Sequence, residues 1–179
     1  IEVEITEGTA RDAVMQLRAD RLDVAFIAGT PELPDCHSRP IWTEPLVAVP
    51  PDRHRLAGQS ATTWTDLVGE TFLVRYGGTG PQVHDYIVLR LAGRWPAPSI
   101  LRFDVERGTL LSMVGQGFGI TIVGAATSLL QTSGVVFVPF ADEPEPVPFS
   151  AVWSPFNRSA ALHNLLTLAS DMGRLVRAD

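Results

Sequence analysis

The sequence predicts an α/β protein, and three observations carry this prediction. Of the 179 residues, 45% are apolar and 19% are charged, so the chain can bury a sizeable core. Short apolar or alternating runs of strand length are repeatedly followed by stretches with helical spacing. This strand-helix-strand order occurs twice, without an internal sequence repeat. No apolar run approaches the roughly 18 residues that would span a bilayer.

The first β-α-β unit is predicted near the N-terminus. Residues 1–5, Ile-Glu-Val-Glu-Ile, alternate strictly between apolar and acidic side chains, which predicts a strand at a sheet edge. Thr9 stands three residues before Asp12, a spacing typical of a helix N-terminus, and apolar residues then recur at helical spacing. The mostly apolar run 22–27 predicts a buried strand. A polar, proline-containing loop is expected after it.

The second series of elements fills the middle of the chain. Prolines bracket the apolar strand predicted within 44–51, which suits a segment that bridges two lobes. Thr63 and Asp66 have capping-box spacing and predict a short helix over 63–67. Further elements then alternate: strands at 72–76, 99–103 and 120–123, and helices over 81–91 and 106–116.

The last part of the sequence predicts a return to the first lobe. A strand over 134–140 leads into the acidic, proline-rich stretch 142–148, which we interpret as a linker. A final strand follows over 149–153. The apolar spacing over 159–175 predicts a long C-terminal helix with one apolar face.

Composition excludes several classes of function. The net charge is −6, and the bases are scattered, so this chain is a poor nucleic-acid binder by itself. All 14 bases are Arg, and the absence of Lys excludes a P-loop phosphate site, a protein-kinase ATP site and a lysine Schiff base. Cys36 is the only cysteine, so we expect no intramolecular disulfide and a reducing compartment. The N-terminus lacks the pattern of a signal peptide.

Three features could contact a ligand, and each has a structural alternative. The turn 77–80 lies between a strand and a helix, so its amides could hold an anion, or its glycines could simply serve a tight turn. Thr9 is expected to cap a helix and could also touch a ligand at the end of a strand. Arg75 is either an anion clamp or an exposed strand residue.

Other motifs give no support for catalysis or metal binding. Glycines 115, 117 and 119 close a helix instead of opening one, which argues against a dinucleotide fingerprint. The four histidines lack metal-ligand spacing, and no Gly-x-Ser-x-Gly elbow is present. Cys36 beside His37 could be an activated thiol or a plain loop cysteine. We therefore expect no enzymatic activity, no metal and no cofactor.

Several short stretches, each degenerate by itself, occur in a specific order and spacing. They are 7–9 with 22–26, 44–50 with 53–56, 66–67 with 72–74, and the run 110–120, which reads Leu-Leu-Ser-Met-Val-Gly-Gln-Gly-Phe-Gly-Ile. Together they resemble the effector-binding domain of LysR-type transcriptional regulators over most of the chain. The family usually has Leu-Pro after the following strand, where this chain has Val123-Gly124. The family's winged helix-turn-helix, and the first strand and helix of its effector domain, have no counterpart in this sequence.

The resemblance implies a type II periplasmic-binding-protein-like fold, in which two Rossmann-like α/β lobes are joined by two crossing strands and hold a small effector. Lobe I is expected over 1–48 and 142–179, and lobe II over 49–141. Effector contacts transferred from the family by position fall at Thr9, Ala28, Gly29, Gly78, Thr79, Val123 and Gly124. Arg75 is added because of its place beside the turn, and we predict a carboxylate effector.

The implied function is ligand sensing by a regulatory domain that acts on a DNA-binding domain outside this chain. The resemblance further implies a homodimer, a tetramer of the full-length protein, a cytoplasmic location and no membrane partner. One alternative is an extracytoplasmic solute-binding protein that feeds a transporter. Another is an enzyme on the same scaffold, which would require a charged acid-base or metal cluster.

Overall fold

A computed structural model describes residues 2–143 and 145–175, without the side chains of 174 and 175. Two compact units are present: unit 1 comprises Ile1–Glu44 and Val147–Asp179, and unit 2 comprises Pro45–Pro146. The chain therefore leaves unit 1 after Glu44 and returns to it at Val147. Each unit has its own apolar core.

Unit 1 is an antiparallel sheet with a helix on each face. Its strands β1 (Val24–Ala28), β2 (His37–Glu44) and β8 (Val147–Trp153) lie in the order β1-β8-β2. Helix α1 (Ala10–Arg18) packs through Leu17 on the face that carries Ile27 and Val152. Helix α4 (Ala160–Leu175) packs through Leu162 and Leu166 on the face that carries Ala151. The two faces alternate along β8, as the pleat of a strand requires.

The N-terminal cap of α1 forms as its spacing predicts. The Asp12 amide donates to the Thr9 hydroxyl at 3.1 Å, and that hydroxyl donates to the Asp12 carboxylate at 2.6 Å. Thr9 has extended dihedrals, so the helix begins at the residue after it. The prediction of a capped helix after Thr9 is confirmed.

The strand predicted over 1–5 is wrong for residues 2–5, and residue 1 lies outside the described part. No described strand pairs with this segment, and the side chains of Val3 and Ile5 are 74% and 89% exposed. Alternation supplies a potential apolar face, but a strand also needs a neighbour to bond its backbone. Because residues 2–5 have no neighbouring strand, their alternating sequence does not form one.

The loop expected before residue 44 is partly wrong, because β2 occupies its second half. Pro40 lies inside β2, although proline removes a backbone donor from a strand. β2 is a terminal strand of its sheet, and its register shifts between Pro40 and Trp42. An edge position tolerates proline. The Trp42 ring stacks on Phe149 of β8 at 4.9 Å between centroids, which adds cross-strand packing.

Among its described residues, unit 2 contains parallel and antiparallel strands and two α-helices. In chain order these elements are β3 (Leu46–Val49), β4 (Thr71–Arg75), α2 (Gly80–Arg90), β5 (Ser99–Phe103), α3 (Arg107–Gly115), β6 (Thr121–Gly124) and β7 (Val138–Pro139). β3 lies between β6 and β7 and is antiparallel to both, whereas β4 and β5 are parallel. The Leu73 amide donates to Ile120 at 2.8 Å, so β4 also bonds the segment that leads into β6. The predicted helices over 81–91 and 106–116 are confirmed within one residue at each end.

Two shorter predictions in unit 2 need correction. The stretch 63–67 forms consecutive turns instead of a helix, although the predicted pair does bond, with the Thr63 amide donating to the Asp66 carboxylate at 2.8 Å. The Thr63 hydroxyl donates to the same carboxylate at 2.7 Å, and this bond, followed by the one from the amide, lowers the pKa of Asp66. Gly69, at φ +86°, lies at the end of the turns. The strand predicted over 134–140 shrinks to β7, and on either side of it Val135 and Phe140 make only isolated bridges, to Pro51 and Thr62.

The segment that follows β7 is tied to unit 2 by a buried carboxylate. The Glu143 side chain is 4% exposed and accepts hydrogen bonds from the indole of Trp64, the hydroxyl of Tyr86 and the guanidinium of Arg90. Burial, followed by the bond to Glu143, raises the pKa of Tyr86. The protonated phenol is therefore the form that stabilises the fold, and this contribution is lost as the pH rises through the raised pKa.

Replacement of Gly80 by alanine should destabilise unit 2. A Cβ at this position would overlap the carbonyl oxygen of Arg75, so β4 and α2 would have to separate. Overpacking of this kind costs about 1–3 kcal/mol of unfolding free energy, measurable by urea denaturation. Gly108→Ala in α3 is the matched control, since a Cβ there meets nothing within 4 Å. Equal stability of the two variants would contradict this account of Gly80.

Candidate functional site

The turn after β4 combines a tight backbone with an uncapped helix start. Gly78 is buried and has φ +55°, a conformation that glycine adopts without a steric penalty. The Gly80 amide donates to the Gly77 carbonyl at 3.0 Å. Thr79 is the N-cap residue of α2, but its side chain makes no capping hydrogen bond. The first turn of α2 therefore lacks the side-chain cap that α1 has.

Arg75 is a buried residue at the carboxyl end of β4. It is 9% exposed, and its Nε donates to the carbonyl oxygen of Val105 at 2.9 Å. Its Nη2 lies 3.6 Å from the carboxylate of Glu106, a side chain that is 84% exposed. The interpretation of Arg75 as an exposed strand residue is therefore wrong. The guanidinium joins the end of β4 to the connection between β5 and α3.

A shallow depression brings part of the predicted site together. Arg75, Thr79 and Val123 line it, along with the first residues of both helices, Gly80 and Arg107. Its volume is about 30 Å³, close to that of one water molecule. Gly78 and Gly124 are sequence neighbours of lining residues but do not line it themselves. Within unit 2, the depression thus joins residues that are far apart in sequence.

Arg107 and Thr121 line the same depression and were missed by the sequence interpretation. Arg107 begins α3, and its position at the start of the helix that follows a parallel strand is the pattern that could have identified it. Thr121 is buried, and its hydroxyl donates to the carbonyl oxygen of Leu73 at 2.7 Å. No sequence pattern marks Thr121, since its role depends on strand register.

A larger cavity, of about 240 Å³, lies at the other end of β4 and contains none of the predicted site residues. Thr71, the first residue of β4, lines it together with His54 and Glu70. The Leu56 amide donates to Nδ1 of His54 at 3.3 Å, which places the imidazole proton on Nε2, 3.2 Å from the Glu70 carboxylate. Both ring nitrogens are therefore occupied by partners within unit 2.

The remaining predicted residues, Thr9, Ala28 and Gly29, lie in unit 1. Ala28 ends β1, and Gly29 follows it at φ +95°. The Gly29 amide donates to Pro148 at 2.7 Å, and its carbonyl accepts from the Ser150 hydroxyl at 2.8 Å. The backbone polar groups of Gly29 are thus used inside the fold, as is the hydroxyl of Thr9.

Cys36, metal binding and membrane-spanning helices complete the survey of the described residues. Burial, followed by the charge of Asp35, raises the pKa of the Cys36 thiol, so it is not an activated nucleophile. Within residues 2–143 and 145–175, no three His, Cys, Asp or Glu side chains are grouped so as to hold a metal ion. In the same part of the chain, no helix combines the length and apolar character needed to cross a bilayer.

A family profile described as the LysR substrate binding domain matches residues 1–174. The chain belongs to this family. The resemblance inferred from the sequence is confirmed, and the chain is a ligand-sensing regulatory domain of the LysR type. The alternative of an extracytoplasmic solute-binding protein is wrong, because the matched family and the similar proteins are regulators.

Relatives of this LysR-type domain are transcriptional regulators. CatR of Pseudomonas putida is 28% identical over 142 residues, which cover 79% of this chain and 49% of CatR. ShiR of Corynebacterium glutamicum is 25% identical over 173 residues, which cover 96% of this chain and 59% of ShiR. The LysR-type chain thus spans about half the length of the curated relatives it matches.

Solved structures establish the fold of the LysR-type chain. The BenM effector-binding domain with its effector benzoate superposes with a TM-score of 0.78 at 18% identity, covering 95% of this chain and 77% of that one. The effector-binding domain of QuiR in complex with shikimate gives 0.77 at 18% identity, covering 93% and 79%. The predicted type II periplasmic-binding-protein-like fold is confirmed.

Arg75→Met should lower the unfolding free energy by about 1–3 kcal/mol. Methionine keeps an apolar stem but removes the donor to Val105, which leaves that carbonyl without its partner. Arg102→Met on the adjacent strand is the control, since Arg102 is exposed and its guanidinium lies over the Tyr76 ring. Urea denaturation of both variants measures the difference. A loss no larger than that of the control would contradict a structural role for Arg75.

Proposed function

We propose that this LysR-type domain senses a small carboxylate effector. The observation that carries the proposal is the convergence of two helix N-termini and two arginines, Arg75 and Arg107, on one depression in unit 2. Amide groups at helix N-termini and guanidinium groups both favour an anion, and a guanidinium matches the shape of a carboxylate. The depression itself has room for about one water molecule, so the effector rests against it and only its charged group enters.

The protein itself provides an example of the expected pairing. The Glu106 carboxylate lies 3.6 Å from the guanidinium of Arg75 while remaining largely exposed to solvent. A carboxylate at this position gains charge attraction without the cost of full burial.

The predicted contacts in unit 1 and at β6 have different roles in the proposal. Thr9 is the polar contact of unit 1, and its hydroxyl must exchange its bond to Asp12 for one to the effector. Ala28, Gly29 and Gly124 contribute only their small size to this proposal. The Gly29 amide already donates to Pro148. Val123 contributes an apolar wall, because it lines the depression.

Similar proteins support the class of effector. BenM is described with its effector benzoate, and QuiR with shikimate, and both small molecules are carboxylates. The proposal includes no catalysis and no cofactor: the domain binds the effector and releases it unchanged. Binding then shifts the population of conformations, and the rest of the protein responds to that shift.

We further propose that the whole protein is a cytoplasmic, DNA-binding regulator that forms homodimers and, at full length, tetramers. The similar regulators CatR and ShiR are named as helix-turn-helix proteins, and this chain matches about half of each. The exposed face of α4 supports self-association, because Leu165, Leu168 and Met172 form one apolar stripe at helical spacing. The DNA-binding part then lies outside these 179 residues.

The coding sequence upstream of Ile1 tests the proposal for the whole protein. We expect about 90 further residues with a helix-turn-helix pattern and a linker helix, the usual arrangement of a regulator that binds DNA through a separate domain. A secretion signal followed directly by the start of this domain would contradict both the DNA-binding and the cytoplasmic assignment.

Calorimetry tests the carboxylate. A panel of small carboxylates, benzoate and shikimate among them, is titrated into the 179-residue chain, each beside its neutral amide. We expect binding of at least one carboxylate, with the matched amide at least roughly tenfold weaker, since the amide lacks the charge that the helix N-termini and arginines favour. Tight binding of neutral or cationic compounds alone would overturn the proposal.

Thr9→Val tests the contact from unit 1 in the same assay. Loss of the cap costs about 0.5–2 kcal/mol of stability, and we expect a larger loss, relative to the wild type, in the free energy of carboxylate binding. Thr9→Ser keeps the hydroxyl and is the matched control. Unchanged carboxylate affinity in Thr9→Val would show that Thr9 is only a cap.

A further inference from the structure

Glu143 is an unusual residue for the interior of unit 2. Its carboxylate accepts hydrogen bonds from Trp64 Nε1 at 2.8 Å and from the Tyr86 hydroxyl at 2.6 Å, and the guanidinium of Arg90 also donates to it. The adjacent Asp142 accepts from the Trp64 amide at 3.1 Å. The segment that leads out of unit 2 is therefore bonded through two consecutive acidic side chains.

Aromatic packing surrounds the same carboxylate. The Trp64 ring stacks on Phe140 at 4.7 Å and meets the Tyr86 ring edge-on at 5.8 Å. The Arg90 guanidinium lies over the Tyr86 ring at 4.9 Å. Tyr86 and Arg90 belong to α2, whereas Phe140 and Glu143 belong to the return segment. Together with Trp64 from the turns before β4, the cluster joins helix α2 to the return segment.

Stability alone does not account for a buried carboxylate in this position. Removing a charge from water is costly, and apolar side chains of similar volume are often as stabilising as a buried ion pair. A carboxylate with three donors differs from an apolar side chain in that its bonds fix direction and distance. The group therefore holds α2 in one position along its length.

Helix α2 connects this cluster to the candidate site. Its first residue, Gly80, lines the depression, while Tyr86 and Arg90 in its second half bond Glu143. An 11-residue helix is roughly 16 Å long and moves as a rigid element. Any displacement of its Glu143 end is thus transmitted to the turn that contains Gly78 and Thr79.

We propose that Glu143 is a positioning residue that sets the place of helix α2 and, through it, of the turn 77–80. The link from Glu143 to effector sensing rests on the proposed function, in which Gly78 and Thr79 contact the effector. Glu143 itself does not touch the effector. It determines where the N-terminus of α2 is offered to an anion.

Amide hydrogen exchange of the 179-residue chain tests this role without any ligand, so the result is independent of whether a carboxylate binds. The reporters are the amides of Gly80, bonded to Gly77, and Val83, bonded to Thr79. In Glu143→Gln, which keeps the shape of the side chain but removes its charge, we expect these amides to exchange at least tenfold faster. The Leu110 amide in α3, bonded to Glu106, should keep its wild-type rate.

Glu145→Gln is the matched control, because Glu145 is exposed in the same segment. It should leave all three amides unchanged. Wild-type rates at Gly80 and Val83 in Glu143→Gln would overturn the proposal. Equal acceleration at Gly80, Val83 and Leu110 would also overturn it, since Glu143 would then contribute only to overall stability. If Glu143→Gln fails to fold, Tyr86→Phe removes one of the three donors and is judged by the same amides.

Discussion

The candidate site in unit 2 depends on two strands that run side by side in the same direction. β4 and β5 pair in parallel register from Thr71 with Ser99 to Arg75 with Phe103, so their carboxyl ends coincide. The helix after each strand then begins at that shared edge. For this reason Arg75 and Arg107 line the same depression, although 31 residues lie between the end of β4 and the start of α3. Antiparallel pairing of the same strands would place the two helix starts at opposite edges.

Charged side chains in unit 2 make hydrogen bonds near both ends of α2. At its beginning, Arg75 bonds the backbone of the β5-α3 connection. Near its end, Glu143 collects three donors from two other parts of the unit. Removing one partner of such a contact leaves the other without its bond, so each contact favours the arrangement in which both partners are present. A ligand can shift the balance between two arrangements only by as much as its affinities for them differ.

The elements with periodic sequences were predictable, and those that depend on a neighbour were not. The spacing of Thr9 and Asp12 predicts α1, and Pro81 after Gly80 predicts α2, because capping and proline geometry act within a few residues. Strand 2–5 and β2 were predicted wrongly, since their conformation is decided by the presence or absence of a partner strand. Pro40 is accepted within β2 because this strand lies at the edge of its sheet.

The candidate site shows the same division. The turn 77–80 and Arg75 stand out in the sequence because glycines and a lone charge follow an apolar run. The burial of Arg75 depends on its bond to the connection after β5, a strand distant in sequence, and no local pattern indicates that burial. Glu143 is the clearest case: an acidic residue in a proline-rich stretch reads as a solvated linker, yet three donors gather around it.

Pro40 lies on β2, the edge strand of the unit 1 sheet, and makes this edge less able to pair with another chain. A free sheet edge is a template on which another chain can add a strand, and such additions are the first step of ordered aggregation. Pro40 interrupts the row of amide donors, and the shift of register beside it bends the edge away from a flat ladder. This edge of the sheet is therefore a poor template for the addition of a strand from another copy.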